Sequence, residues 1–335
     1  MEVAGIWDGL RARALDLVGH RIRLSLFQGS EQEKDFRYPP NCRGWGRIRT
    51  FQSEPVGDWA PNPLPALPAA KALGCSPAET RVTQLFQLAV CNLRCWYCFV
   101  DRALLVGDPA RSALVAPGQI VEQSLQLDPP PKVLVLSGGN PGLAPEWVLW
   151  VMRALTQVGA ADRVYLWSDD NLTASLQAEV LTPPECSEIA GYRNYGAVGC
   201  FKGFDEESFS FNTGASTSAY RQQFAAFRAL RRVVPDLYAY VTFTVADLGD
   251  LGSRVRRFMD DLERLDAHLP LRVVPLEVRP YHPTQQHLDE RRQSALNVNQ
   301  YEVLRVWRAE LAHRYPPEMV TAPITAIPWA SETTP

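Results

Sequence analysis

Residues 83–98 read TQLFQLAVCNLRCWYC, and this stretch decides the fold. Residues 83–90 are a mostly apolar run of strand length, and a cysteine loop follows them directly. Cys91, Cys95 and Cys98 fall within eight residues, spaced C-x3-C-x2-C. Three thiolates on one tight loop can hold three irons of a [4Fe–4S] cube. Such cubes usually take four thiolates, so a three-cysteine set leaves one iron open. Open positions on metals are where substrates or cofactors bind. A zinc site needs a fourth ligand, and no His or further Cys lies near the loop.

Outward from this stretch, the chain repeats strand, loop and helix. Strands are expected over 132–138, 163–168, 195–203, 237–245 and 271–281. Helices are expected over 117–127, 144–159, 171–181, 218–233 and 253–269. The run KVLVLSG (132–138) is continuously apolar, as in a buried parallel strand. Pro275 puts the last strand at an edge or a bulge. Alternation of this kind calls for parallel strands with right-handed crossovers. The expected fold is α/β, a partial (β/α)6 TIM-like barrel over residues 81–282. Chemistry in such folds sits at the C-terminal ends of the strands, where the cysteine loop lies. Residues 1–80 form an N-terminal extension: a helix over 1–20, a strand over 21–27 and irregular chain over 28–80. The proline-rich run WAPNPLPALPAAKALG reads as an extended connector. Residues 283–335 supply a helix over 300–315, packed on the outside, and a tail.

Composition narrows the class. The chain has 335 residues, 46% hydrophobic and 21% charged, enough to bury a sizeable core. A net charge of −3 argues against nucleic acid as the main partner. No apolar run is long enough to span a membrane, and the N-terminus lacks the pattern of a secretory signal. Of seven cysteines, three are clustered and four are scattered, which is not a disulfide framework. The expected location is the reducing cytoplasm. Cys186 and Cys200 are too few to build an auxiliary cluster.

With Tyr97 just before the third cysteine, the loop resembles that of the radical S-adenosylmethionine superfamily. The resemblance covers roughly residues 83–282. It implies that Cys91, Cys95 and Cys98 hold a [4Fe–4S] cluster whose fourth iron is chelated by S-adenosylmethionine. It also implies reductive cleavage of that cofactor to a 5′-deoxyadenosyl radical, which takes a hydrogen atom from a substrate. Tyr97 is then expected to pack by the adenine.

Further motifs follow the later strands. Ser137-Gly138-Gly139-Asn140-Pro141 resembles the family's Gly-Gly-Glu-Pro turn, in which backbone at Gly138 and Gly139 meets the amino-acid end of the cofactor. Asn140 stands where glutamate is usual. In Ser168-Asp169-Asp170-Asn171, either Asp170 or Asn171 caps the next helix, or Ser168 and Asp169 make polar contacts to the cofactor. The segment from Cys200 to Glu207 looks like the Asp-x-Lys segment of glycyl-radical-enzyme activating proteins, the group that includes the pyruvate formate-lyase activating enzyme. Lys202 matches the family lysine, and Cys200 replaces the aspartate. Val278-Arg279-Pro280-Tyr281-His282 is similar to the Leu-Pro-Tyr-His of that group, which makes His282 a cofactor contact.

The resemblance implies an external one-electron donor of the flavodoxin or ferredoxin type. The departures at Asn140 and Cys200 favour direct radical modification of a small molecule or peptide. The alternative within the family is installation of a glycyl radical on a partner protein. An alternative of another class is a non-catalytic iron–sulfur protein for electron transfer or sensing.

Overall fold

The computed structural model describes residues 4–51 and 62–330. Ten strands are present among them: β1 (Leu15–Asp16), β2 (Arg21–Ser25), β3 (Gly46–Thr50), β4 (Val82–Gln87), β5 (Ser112–Val115), β6 (Val133–Ser137), β7 (Tyr165–Asp170), β8 (Tyr195–Phe201), β9 (Leu237–Thr242) and β10 (Val273–Leu276). The main sheet runs β10-β9-β8-β7-β6-β4-β3. From β4 to β10 every pairing is parallel, so the six expected strands form one parallel sheet, in keeping with the expected partial (β/α)6 barrel; among the described residues the sheet does not close on itself. A small antiparallel sheet, β1-β2-β5, meets the chain leaving β4 through an isolated bridge between Leu24 and Leu88.

Strand composition explains the layering. All five residues of β6, VLVLS, are buried. Because side chains alternate, Leu134 and Leu136 enter the helix-side core while Val133 and Val135 enter the inner face. The inner face is rich in aromatic rings, with Tyr165, Trp167, Tyr238 and Tyr240 in one cluster. Burial of such side chains contributes about 1.5–3 kcal/mol each. β10 is the sheet edge, where Pro275 costs no ladder bond on its free side.

Several expectations are corrected. The proline-rich run is not extended throughout: Ala66–Leu73 is a helix. Pro68 lies in its first turn, where an N–H has no intrahelical partner anyway, and Gly74 ends it at φ 63°. This helix packs its Ala69 against the inner face of the sheet. The part of that run up to residue 61 lies outside the described residues. The first helix is Ala4–Ala14, shorter than residues 1–20. β3, expected to be irregular chain, pairs antiparallel with β4. Residues before 81 therefore contribute an edge strand to the main sheet.

The helix expected over 171–181 is only Leu176–Val180. Neither Asp170 nor Asn171 caps it; Asp170 instead accepts from the Leu172 N–H at 2.7 Å in a tight local turn. A separate helix, Pro183–Gly191, begins with the Thr182–Glu185 capping box. Another, Glu206–Thr213, is capped by Asp205 and closed by Gly214 at φ 70°. Arg254 on the helix Leu251–Glu263 is 7% exposed and ion-paired to Asp205 at 2.5 Å. The helix Gln300–Arg314 packs against the helix Leu251–Glu263 on the outside of the sheet, as expected.

Candidate functional site

The cysteine loop leaves the C-terminal end of β4 and is tied down by backbone from three other segments. Cys91 N–H donates to the Leu105 carbonyl at 3.1 Å and Trp96 N–H to the Asn212 carbonyl at 3.2 Å. The Val90 carbonyl accepts from Asn140 N–H at 2.9 Å. Cys91, Cys95 and Cys98 all face one chamber at the C-terminal end of the inner face. Tyr97, Gly138, Gly139, Asp169 and Lys202 line the same chamber, together with Trp167, Cys200 and Tyr240.

The glycine turn is built for close backbone approach. Gly138 and Gly139 have φ of 66° and 57°, left-handed values that favour glycine. A Cβ on Gly139 would lie 2.3 Å from the Leu88 carbonyl oxygen and 2.5 Å from that of Val90. A Cβ on Gly138 would lie 2.4 Å from Gln87 Cγ. What this turn approaches within the protein is thus the chain that carries the first cysteine.

Asn140 lies beside the turn, 1% exposed and turned away from the chamber. Its Nδ2 donates to Asn92 Oδ1 at 2.8 Å and to Thr173 Oγ1 at 2.9 Å, and its Oδ1 accepts from Asn171 N–H at 3.3 Å. A carboxylate has no N–H to donate. Asn140 therefore supplies a donor, which a glutamate in its place would lack, and knits the cysteine loop to the chain after β7.

β7 alternates across the sheet, which separates its polar end. Asp169 points to the chamber side, accepts from the Ser137 hydroxyl, and accepts from Trp167 Nε1 at 3.0 Å. Burial raises its pKa, against the opposing pull of Ser137 and the positive charge of Arg49. Ser168 points the other way and shares a 2.7 Å hydrogen bond with the Tyr195 hydroxyl, so it does not reach the chamber. His282 is not brought to the chamber either. It begins a short helix, half-exposed, with Nδ1 2.6 Å from Asp35 Oδ1.

Two residues outside the cysteine motif hold the site together. Asn171 Nδ2 donates to the Gly139 carbonyl at 2.9 Å and lies 3.7 Å from Cys91 Sγ. Asn212 is fully buried. Its Nδ2 donates to the carbonyls of Lys202 (2.9 Å) and Thr244 (3.0 Å). Its Oδ1 accepts from Thr244 Oγ1 at 2.7 Å and Trp96 Nε1 at 3.3 Å. Tyr97, meanwhile, is fixed by the Thr242 hydroxyl, which donates to its phenol oxygen at 3.0 Å.

The thiols feel their surroundings. Burial pushes the Cys91 thiol up to about 11 and the Cys98 thiol up to about 12, with Cys95 also raised. The Lys202 ammonium acts in the opposite direction on all three. Such thiols stay protonated near neutral pH, so binding of a metal centre would release protons. Among the described residues, no three Cys, His, Asp or Glu side chains close on a single ion. The thiolates of an iron–sulfur cube each hold a different iron. Three thiols on one loop, facing one chamber beside a buried cation, fit that kind of group.

No helix among the described residues is long and apolar enough to cross a membrane. No family model matches the chain, and no curated protein matches it. Solved structures do. SuiB of Streptococcus suis bound to the precursor peptide SuiA has a TM-score of 0.38 at 12% identity, covering 64% of this chain and 45% of that one. SuiB bound to S-adenosylmethionine has a TM-score of 0.37 at 12% identity, covering 63% and 45%. TYW1 with a lysine-pyruvate adduct bound has a TM-score of 0.36 at 12% identity, covering 80% of this chain and 89% of that one. The chain spans less than half the length of SuiB. These are distant likenesses in fold, and no function is drawn from them.

Proposed function

We propose that this chain is a radical S-adenosylmethionine enzyme of the cytoplasm, with one [4Fe–4S] cluster on Cys91, Cys95 and Cys98. One observation carries the reading: a three-cysteine loop at the C-terminal end of β4 opens into a chamber that is also lined by the glycine turn after the neighbouring strand β6. When bound, the cluster and S-adenosylmethionine supply a one-electron cleavage of the sulfonium to methionine and a 5′-deoxyadenosyl radical, which takes a hydrogen atom from the substrate. The electron comes from an external donor of the flavodoxin or ferredoxin type.

The chain's own residues hold and shield. Gly138 and Gly139 offer turn backbone to the amino-acid end of the cofactor. Tyr97, held by Thr242, packs by the adenine. Asp169, held by Ser137 and Trp167, reaches toward the ribose. The Lys202 ammonium offsets negative charge on the thiolates. Trp167 and Tyr240 keep water from the reacting atoms. Asn140 acts in this reading as a positioning residue, through Asn92 and Asn171, whereas Ser168 and His282 take no part in it. Direct modification of a small molecule or peptide is favoured over glycyl-radical activation, because Cys200 stands in place of the aspartate of one shared motif and the histidine of the other is turned to Asp35.

The test is anaerobic reconstitution with iron and sulfide, then dithionite and S-adenosylmethionine. 5′-Deoxyadenosine is expected above the level of a Cys95→Ala control. Equal levels in the two would sink the enzyme reading and leave an electron-transfer or sensor protein.

A further inference from the structure

The edge strand β3 carries two side chains that the proposed chemistry leaves unused. Arg47 and Arg49 are two residues apart on one strand, so they leave the same face. Both line an outer vestibule, and Arg49 lines the inner chamber as well. The two spaces share that wall, so a molecule in the vestibule abuts the chamber.

Among the described residues, neither guanidinium has an ion-pair partner. Arg47 is 8% exposed, and its Nε is buried with no hydrogen-bond partner. Among the described residues no carboxylate lies within ion-pair distance of Arg47 or Arg49. The acids nearby are committed: Asp35 to His282 at 2.6 Å, and Glu277 to Arg279 at 2.7 Å. The Arg49 charge is felt at Asp169, whose oxygens are taken by Ser137 and Trp167.

Aromatic rings hold the cations instead. The Arg47 guanidinium carbon lies 4.7 Å from the centre of the Phe36 ring and 5.5 Å from that of Phe99. The Arg49 carbon lies 4.4 Å from the Phe51 ring centre and 5.6 Å from that of Phe99. Such stacking orients a guanidinium and leaves its N–H edge free. Burial, with Arg49 as a like charge beside it, lowers the Arg47 pKa to about 9, against the opposing pull of Tyr281 and Asp35. A buried cation without a partner is costly unless something arrives to pair with it.

We propose that Arg47 and Arg49 bind a dianionic oxyanion on the substrate, so that the enzyme acts on a phosphate ester or a dicarboxylate anchored at this end. Two guanidinium forks match two negative charges, and their geometry suits phosphate or carboxylate oxygens. The aromatic walls take the body of a small organic molecule, with its remainder reaching the chamber. The assignment of a substrate rests on the proposed function above.

Calorimetric titration of the cluster-loaded protein tests it, using inorganic phosphate, malonate and chloride at matched ionic strength. Saturable phosphate or malonate binding is expected, weakened at least tenfold in Arg49→Gln and in Arg47→Gln. Arg47→Lys, which keeps the charge and loses the fork, is expected to bind more weakly than the parent. Tighter phosphate than malonate assigns a phosphate ester, and the reverse a dicarboxylate. Binding no tighter than chloride, or affinity unchanged in Arg49→Gln, overturns the site. Arg47 is buried, so circular dichroism checks its variants; the half-buried Arg49 carries the test if they fail to fold. 5′-Deoxyadenosine formation is assayed separately. A protein that cleaves S-adenosylmethionine but ignores both dianions loses only the anion site. One that binds a dianion without cleaving S-adenosylmethionine loses only the radical reading.

Discussion

Asn171 donates through Nδ2 to the Gly139 carbonyl at 2.9 Å, and the same nitrogen lies 3.7 Å from Cys91 Sγ. One amide thus links the end of β7, the glycine turn and the first cysteine. Hydrogen bonds to cluster sulfurs help set reduction potential. Asn171→Ala is expected to make the bound cluster harder to reduce, shifting its midpoint to a more negative potential. A redox titration followed by electron paramagnetic resonance reads this. An unchanged midpoint would show that the amide serves only the turn.

Gly139 and Gly138 are expected to differ in tolerance. Both have left-handed backbone, which costs an L-residue about 1–2 kcal/mol. At Gly139 the added Cβ also meets two carbonyl oxygens, whereas at Gly138 it meets the Gln87 side chain. Gly139→Ala is therefore expected to lower thermal stability and cluster loading more than Gly138→Ala. Equal losses in a melting experiment with iron quantification would contradict this.

Asn212 anchors the loop through bonds that no hydrophobic residue replaces. Asn212→Leu strands the Lys202 and Thr244 carbonyls and the Trp96 indole N–H. Each stranded buried group costs about 1–3 kcal/mol. A large drop in the urea midpoint is expected, with iron content falling alongside it. Retention of both would remove Asn212 from the account.

Asp170 gives a pH dependence of defined sign. Burial raises its pKa, even though the Leu172 N–H and Gln177 amide hydrogen-bond to it. A raised folded-state pKa means that folding takes up a proton. Its contribution is fully present below the unfolded pKa and is lost as pH rises through the folded one. Asp170→Asn removes the buried charge, and the introduced amide can pair with Gln177 Oε1, which has no partner at present. The variant is expected to be more stable than the parent at pH 7, with the gap narrowing as pH falls toward 4. Urea unfolding at several pH values checks the slope.

Legibility in the sequence followed contact range. The cysteine loop, the glycine turn and the six parallel strands were readable because each depends on neighbours a few residues away. β3 was not, because GRIRT places arginines where a strand usually carries apolar residues. Those arginines stack on Phe36, Phe51 and Phe99, rings that come from separate segments. The helix Pro183–Gly191 carries a local signal of its own in Thr182, Pro183 and Glu185.

His282 and Ser168 show the other side. Each occupies a suitable position in a motif, yet one turns to Asp35 and the other to Tyr195. Spacing alone cannot say which face of a strand end meets the chamber, since a single residue of register reverses it.

By itself, the sequence determined the thiol set, the parallel order of the sheet's building blocks and the end of the sheet where chemistry gathers. These are consequences of local spacing and of alternating periodicity. Only the tertiary structure decided that Asn171 and Asn212 brace the loop and that Arg47 and Arg49 stand at the vestibule with no ion-pair partner among the described residues. Those relationships join segments far apart in the chain, and they exist only once the sheet has brought its strand ends together.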